Sequence, residues 1–209
     1  MNINIGCIVD VETTGLSPDY DEMIEVALIL FSFNKKTGEV IDILEEHTYL
    51  REPLAATARS NYDAAYRVHG IPFSDVKGKE FDDYLINETF NKTDLIIAHN
   101  ASFDRSFLFR MYPNINEKKW YCSMRNIKWK DYGFLNKKLL TLVKGHRIAS
   151  TQSHRALDDT IQLLNLLKLK SPKDEFYLKE LITTKAMRKY QPKVKMDFQP
   201  KKTGSSFFV

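Results

Sequence analysis

Asp10-Val11-Glu12 closes an apolar run, and residues two apart on a strand point to the same face. Two carboxylates so placed repel unless a positive charge lies between them, although such pairs are also common at exposed strand ends. Thr13-Thr14-Gly15 follows, a tight turn whose hydroxyls and backbone donors suit the end of a nucleotide. A second segment, Ala98-His99-Asn100-Ala101-Ser102-Phe103-Asp104, reads as a strand end, then Asn100 or Ser102 as helix cap, then Asp104 in the first helical turn. By itself Asp104 would only favour the helix dipole. A third, His154-Arg155-Ala156-Leu157-Asp158-Asp159-Thr160, places a histidine before a helix and acids in its first turn. Imidazole is the usual base for activating water near neutral pH, and a capping or solvated histidine is the plainer reading. Together these segments offer carboxylate oxygens suited to Mg²⁺ or Mn²⁺ rather than zinc. Two such ions, about 3.5–4 Å apart, can assist hydrolysis of a phosphodiester. The residues point to metal-assisted phosphoryl hydrolysis.

Elements of fixed geometry must bring these segments together. Apolar runs at Ile3–Val11, Ile24–Phe33 and Val40–Leu50, with the turn Asn34-Lys35-Lys36-Thr37-Gly38 between the last two, predict an antiparallel meander. Helical periodicity then alternates with short apolar strands. Helices are expected at 55–68, 80–90, 103–112, 136–144 and 155–168, and strands at 95–98 and around 120–124. A meander followed by βα units implies an α/β fold, a mixed sheet flanked by helices.

The chain has 209 residues, 43% of them hydrophobic and 12% aromatic, which excludes a wholly disordered polymer. Its length suits about one domain. No apolar run approaches a membrane span, no signal-peptide pattern is present, and Cys7 and Cys122 read as small buried residues. A cytoplasmic protein without membrane contact is expected. The net charge of +4 is uneven: residues 171–209 carry nine Lys/Arg against four Asp/Glu, and the rest of the chain nets −1. That asymmetry suits contact with a polyanion or, equally, a solvated tail.

Taken jointly, Asp10-Val-Glu12-Thr-Thr-Gly-Leu16, His99-Asn100-Ala-Ser-Phe-Asp104 and His154-Arg-Ala-Leu-Asp-Asp159 resemble the three motifs of the DEDDh (DnaQ-like) exonuclease superfamily, over residues 1 to about 170. Val68-His69-Gly70-Ile71 also looks like a segment common there. The resemblance implies a ribonuclease H-like fold and 3′→5′ hydrolysis of a polynucleotide to nucleoside 5′-monophosphates, with two divalent cations. It makes Asp10, Glu12, Asp104 and Asp159 the metal ligands and His154 the base. Thr13, Leu16, Asn100 and Phe103 would contact the terminal nucleotides, and His99 and His69 receive no role. Asp158 departs from many relatives; the His-to-Asp spacing selects Asp159, and rotation of about 100° per residue turns Asp158 elsewhere. Trp120–Arg125 lacks the Asp-Thr of many members and looks closer to exodeoxyribonuclease X-type sequences, which favours DNA over RNA and a role in DNA repair or replication.

The alternatives are an RNA 3′ exonuclease or oligoribonuclease, a proofreading subunit docked on a polymerase, and a nucleic-acid binder that does not cut. The last is disfavoured because no ligand or base of the set is missing. Residues 171–209 are expected to form a basic extension, a helix within 173–190 and then a β-hairpin. Lys193, Lys195, Lys201 and Lys202 would grip phosphates, with Arg188 and Lys189 as further contacts. Covering an exposed sheet edge is the competing role. Contact with a polymerase, or with a sliding clamp through Ser205–Val209, is a weaker expectation, since Gly204 stands where a clamp-binding motif wants an aliphatic residue.

Overall fold

The computed structural model describes residues 2–192. The expected meander is β1 (Ile3–Thr13), β2 (Met23–Asn34) and β3 (Val40–Leu50), longer at its first two strands than the apolar runs alone. Helices α1 (Ala56–His69), α2 (Phe73–Val76) and α3 (Asp83–Asn91) lead to β4 (Leu95–Ala98) and α4 (Ala101–Met111). Then come β5 (Lys119–Cys122), α5 (Ser123–Asn126), α6 (Leu139–Gly145), α7 (Ala156–Leu167) and α8 (Tyr177–Thr183).

The strands form one five-stranded sheet in the order β3-β2-β1-β4-β5. β1 pairs antiparallel with β2 and parallel with β4, and β4 pairs parallel with β5. This is the mixed α/β sheet of a ribonuclease H-like fold. Alternation along β1 divides the core. Cys7, Val9 and Val11 face a layer that includes Phe90, Phe107 and Leu108 of α3 and α4. Ile8 faces the other layer, with Leu163, Leu164 and Leu167 of α7. Asp10 and Glu12 share the parity of Ile8, so β1 carries its apolar residues into the sheet's middle and its acids out at the α7 side. Both cysteines are free and buried, as their small size suggested.

Beyond residue 170 the chain keeps packing against the body. Tyr177, Leu178 and Leu181 of α8 are buried in the same layer as α7. The helix expected within 173–190 is confined to Tyr177–Thr183. Past Thr184 the chain has no regular structure, and it finds partners on the body instead of along a helix: Met187 N–H donates to the Trp120 carbonyl at 2.8 Å. Asn116 holds both backbone groups of Tyr190, at 2.7 and 3.0 Å. The expected hairpin, Lys193, Lys195, Lys201, Lys202 and the Ser205–Val209 peptide lie outside the described residues. Among the described residues no helix is long and apolar enough to cross a membrane.

Candidate active site

At the C-terminal end of β1 the sheet opens into a cavity of ≈ 570 Å³. Asp10, Glu12, Thr13, Leu16, Asn100, Phe103, Asp104 and Asp159 all line it, drawn from β1, the turn after it, α4 and α7. Asp10, Glu12 and Asp159 each offer a carboxylate oxygen, and these oxygens lie within 4.8 Å of one another. Asp104 is buried beside them at the first turn of α4, which starts where β4 ends next to β1. Asp159 is buried, with Oδ1 lacking a protein partner, whereas Asp158 is exposed and accepts from Ser153 Oγ at 2.6 Å. One residue of helix rotation separates a wall of the cavity from its outside.

Acids crowded at one strand end raise one another's affinity for protons. Burial, then the neighbouring charges of Asp104, Glu12 and Asp159, push Asp10 well above the carboxylate range. Burial and the Asp159 charge raise Glu12 to about 8. Burial raises Asp104 to about 7, against the opposing pull of backbone N–H groups including that of Val11. The donor set is all carboxylate oxygen and incompletely partnered, which fits a hard divalent cation whose charge would displace those protons.

The turn after β1 is tied down locally. Thr13 Oγ donates to the Gly15 carbonyl at 2.6 Å, and Thr14 and Glu22 close the loop with two bonds. Asp21 accepts from Ser17 N–H and from Asn61 of α1. A Cβ at position 15 would lie 2.5 Å from the Asp21 carboxylate, so only glycine lets the turn fold over that acid. Asn100 precedes α4 without a side-chain cap bond; its side chain is exposed at the cavity, unlike the cap expected of it.

His154 is placed differently. It sits in the 151–155 segment, is exposed, has φ 53°, and is not among the cavity's walls; burial raises Asp159, and the Gln152 hydrogen bond and then His154 only oppose that rise. Gln152 of the same segment lines the cavity instead and donates to Asp159 Oδ2 at 2.5 Å.

Three residues at the site were missed or given no role. Glu25 pairs across from Glu12 in the β1–β2 register, is 1% exposed, and accepts both Nε and Nη2 of Arg155 and the Ala156 N–H. It therefore anchors the start of α7 to the sheet; its charge adds to the crowding at Glu12, which the paired Arg155 partly offsets. A lone acid inside the apolar run 24–33 was its signal, since a buried charge needs a partner. His69, at the end of α1, lines the cavity; Nδ1 accepts from Ile71 N–H at 2.9 Å, which leaves the proton on a buried, unbonded Nε2. His99 is buried enough to fall to about 4 and stays neutral, bonded to Ser123 and the Lys137 carbonyl.

A family model described as an exonuclease (RNase_T) matches residues 7–167. The chain is 34% identical over 159 residues to the PolC-type DNA polymerase III of Listeria innocua, and 34% identical over 189 residues to that of Bacillus subtilis. These matches cover 73% and 83% of this chain but 10% and 12% of the relatives, so the chain spans about a tenth of their length. Among solved structures, E. coli Exonuclease I in complex with a dT13 oligonucleotide superposes with a TM-score of 0.62 at 17% identity, over 81% of this chain and 42% of that one. A 3′-exonuclease that recognises the histone mRNA stem-loop superposes with a TM-score of 0.57 at 17% identity, over 79% and 80%. At those identities the likeness is one of fold.

Proposed function

Since the chain belongs to the RNase_T exonuclease family, within the DEDD-type 3′→5′ exonuclease superfamily, we propose that it removes nucleoside 5′-monophosphates from the 3′ end of single-stranded or frayed DNA. The observation that carries this reading is the convergence of Asp10, Glu12 and Asp159 within 4.8 Å in one cavity, with Asp104 beside them. These four carboxylates hold two divalent cations, Mg²⁺ or Mn²⁺. When bound, such cations supply the positive charge that lets a phosphodiester and an attacking water share a strongly acidic pocket.

The chain's own residues do the rest. Thr13 and Asn100 hold the polar edges of the terminal nucleotide, Phe103 packs against it, and Leu16 separates its base from the next. His69, given no role from the sequence, backs the same pocket with a buried Nε2–H, which could reach the nucleotide only after a local rearrangement. His154 takes the proton of the attacking water. Its exposed position at positive φ, a backbone region costly for a non-glycine residue, means that the 151–155 segment must rearrange for it to do so. In this reading residues 1–170 carry the chemistry and 171–209, with Lys193, Lys195, Lys201 and Lys202, help hold the strand. The setting is the cytoplasm, where Cys7 and Cys122 stay reduced. The similarity to PolC-type polymerases favours one further reading: this exonuclease works beside a polymerase, in replication or repair.

The test uses purified protein and an Asp10→Ala/Glu12→Ala variant, single-stranded DNA and RNA of one sequence labelled at either end, and Mg²⁺, Mn²⁺ or EDTA. Mononucleotide release from the 3′ end, faster on DNA, abolished by EDTA and absent in the variant, is the expected result. Internal cuts, or release that survives EDTA, would overturn the proposal.

A further inference from the structure

A second hollow, of ≈ 950 Å³, adjoins the acidic cavity on the α4 side. Leu16 lines both and is 86% exposed, so it forms a crest between them. One wall is the turn after β1, a second is α4 through Phe109 and Arg110, and the third is the irregular segment at Tyr190–Pro192. Tyr190 meets Phe109 at a centroid distance of 5.2 Å and an angle of 63°. It is held there by its backbone bonds to Asn116, and the Arg105 guanidinium lies 5.7 Å over its ring. Arg105 also donates to the Arg188 carbonyl at 2.8 Å, which fixes the same segment. Arg110 is exposed and uses Nη2 on Asp19, one donor of a guanidinium that has five.

We propose that this groove seats the nucleotides that precede the 3′-terminal one, with Tyr190 and Phe109 as the surface their bases stack against. The inference rests on the exonuclease reading of the neighbouring cavity and extends it to a residue outside the span the family model matches. A strand whose end lies among the carboxylates must leave over the cavity's rim, and the crest at Leu16 opens directly into this groove. Base stacking on aromatic rings tolerates any sequence, as an enzyme that moves along a strand requires. A phosphate running past α4 meets Arg110, and Asp19 is the one acid it displaces. In sequence the groove's last wall leads into Lys193 and Lys195, whose charge has the sign a departing backbone needs.

Two substrates separate this from the catalytic reading: oligo(dT), and the p-nitrophenyl ester of thymidine 5′-monophosphate, which has no second nucleotide. Wild type, Tyr190→Ala, Tyr190→Phe and Arg110→Ala are compared in the full chain. Affinity for fluorescent oligo(dT) is read by anisotropy in EDTA, and turnover of both substrates in Mg²⁺. Tyr190→Ala should weaken binding and lower kcat/KM on oligo(dT) on the order of ten-fold, leave the ester unchanged, and be rescued by Tyr190→Phe. Arg110→Ala should reduce the slope of log K against log salt by about 0.7. Equal affinity of wild type and Tyr190→Ala, no binding by wild type, or equal losses on both substrates would overturn the groove. Turnover of neither substrate by wild type would overturn the exonuclease reading, and the anisotropy comparison would still decide the groove.

Discussion

Asp10 and Glu12 ride on a strand paired along both sides, antiparallel to β2 over its full length and parallel to β4 over Gly6–Ile8. His154 rides on the ten-residue connection between α6 and α7, exposed, with left-handed backbone, and Gln152, two residues before it, occupies Asp159 Oδ2. In the proposed reading both serve one site, yet the sheet holds its share in place before any substrate arrives, while the connection holds its share away. Mutually repelling carboxylates need a rigid scaffold, because a mobile one would let them separate. A base that must exchange protons with water gains from a position open to solvent. The start of α7 lies between the two regimes: Glu25 and Arg155 lock it to β2, so Asp159 shares the rigidity of the sheet although it follows the connection by only a few residues.

Substitution at the loosely held side gives the largest contrast. His154→Ala should reduce kcat on the order of 10²–10⁴-fold and change unfolding free energy by no more than about 0.5 kcal/mol, as expected of an exposed side chain. Urea titration beside steady-state rates checks this, and a large stability loss would mean that the connection is part of the fold's support. Glu25→Gln attacks the junction. It leaves Arg155 and the Ala156 N–H with a neutral partner, and should cost about 1–3 kcal/mol of stability and roughly 10–100-fold in activity. Unchanged activity at reduced stability would separate the α7 anchor from the chemistry.

The smallest effect concerns the rigid side without metal. Glu12, at about 8, and Asp104, at about 7, have folded-state values raised above their ordinary 4.5 and 3.8. Their protonation therefore favours the folded state at acidic pH, and that stability is lost as pH rises through 7–8. In EDTA, Tm should fall by several degrees between about pH 5 and 8, at roughly 2–4 °C per kcal/mol. Mg²⁺ should restore it at the upper end. Glu12→Gln should flatten the curve; parallel curves for variant and wild type would remove the carboxylates as its cause.

Much of this was legible from order and period alone. The meander, the short strand at Leu95–Ala98 and the amphipathic α7 follow from local alternation and helical spacing, which chain-neighbour geometry dictates. The His-to-Asp spacing of the resembled motif selected Asp159 over Asp158, and helix rotation sets the two apart, one buried and the other exposed. Glu25 was visible as a residue type without a purpose because its partner Arg155 lies far along the chain, and His69 because only the fold brings it to the cavity wall. The stop of α8 at Thr183 was not legible: helix propensity continues into 185–190, and hydrogen bonds to Trp120 and Asn116 on the body take the backbone instead.

The amino-acid sequence by itself determined which groups could do chemistry and the order of the elements that carry them, since both depend on covalent spacing and side-chain type. Only the tertiary structure decided that three carboxylates meet within 4.8 Å, that Gln152 rather than His154 reaches Asp159, and that Tyr190 comes to rest against Phe109. Those are distances between segments far apart in the chain or turns of a connection without periodicity, and they are set by packing and charge balance that no local pattern encodes.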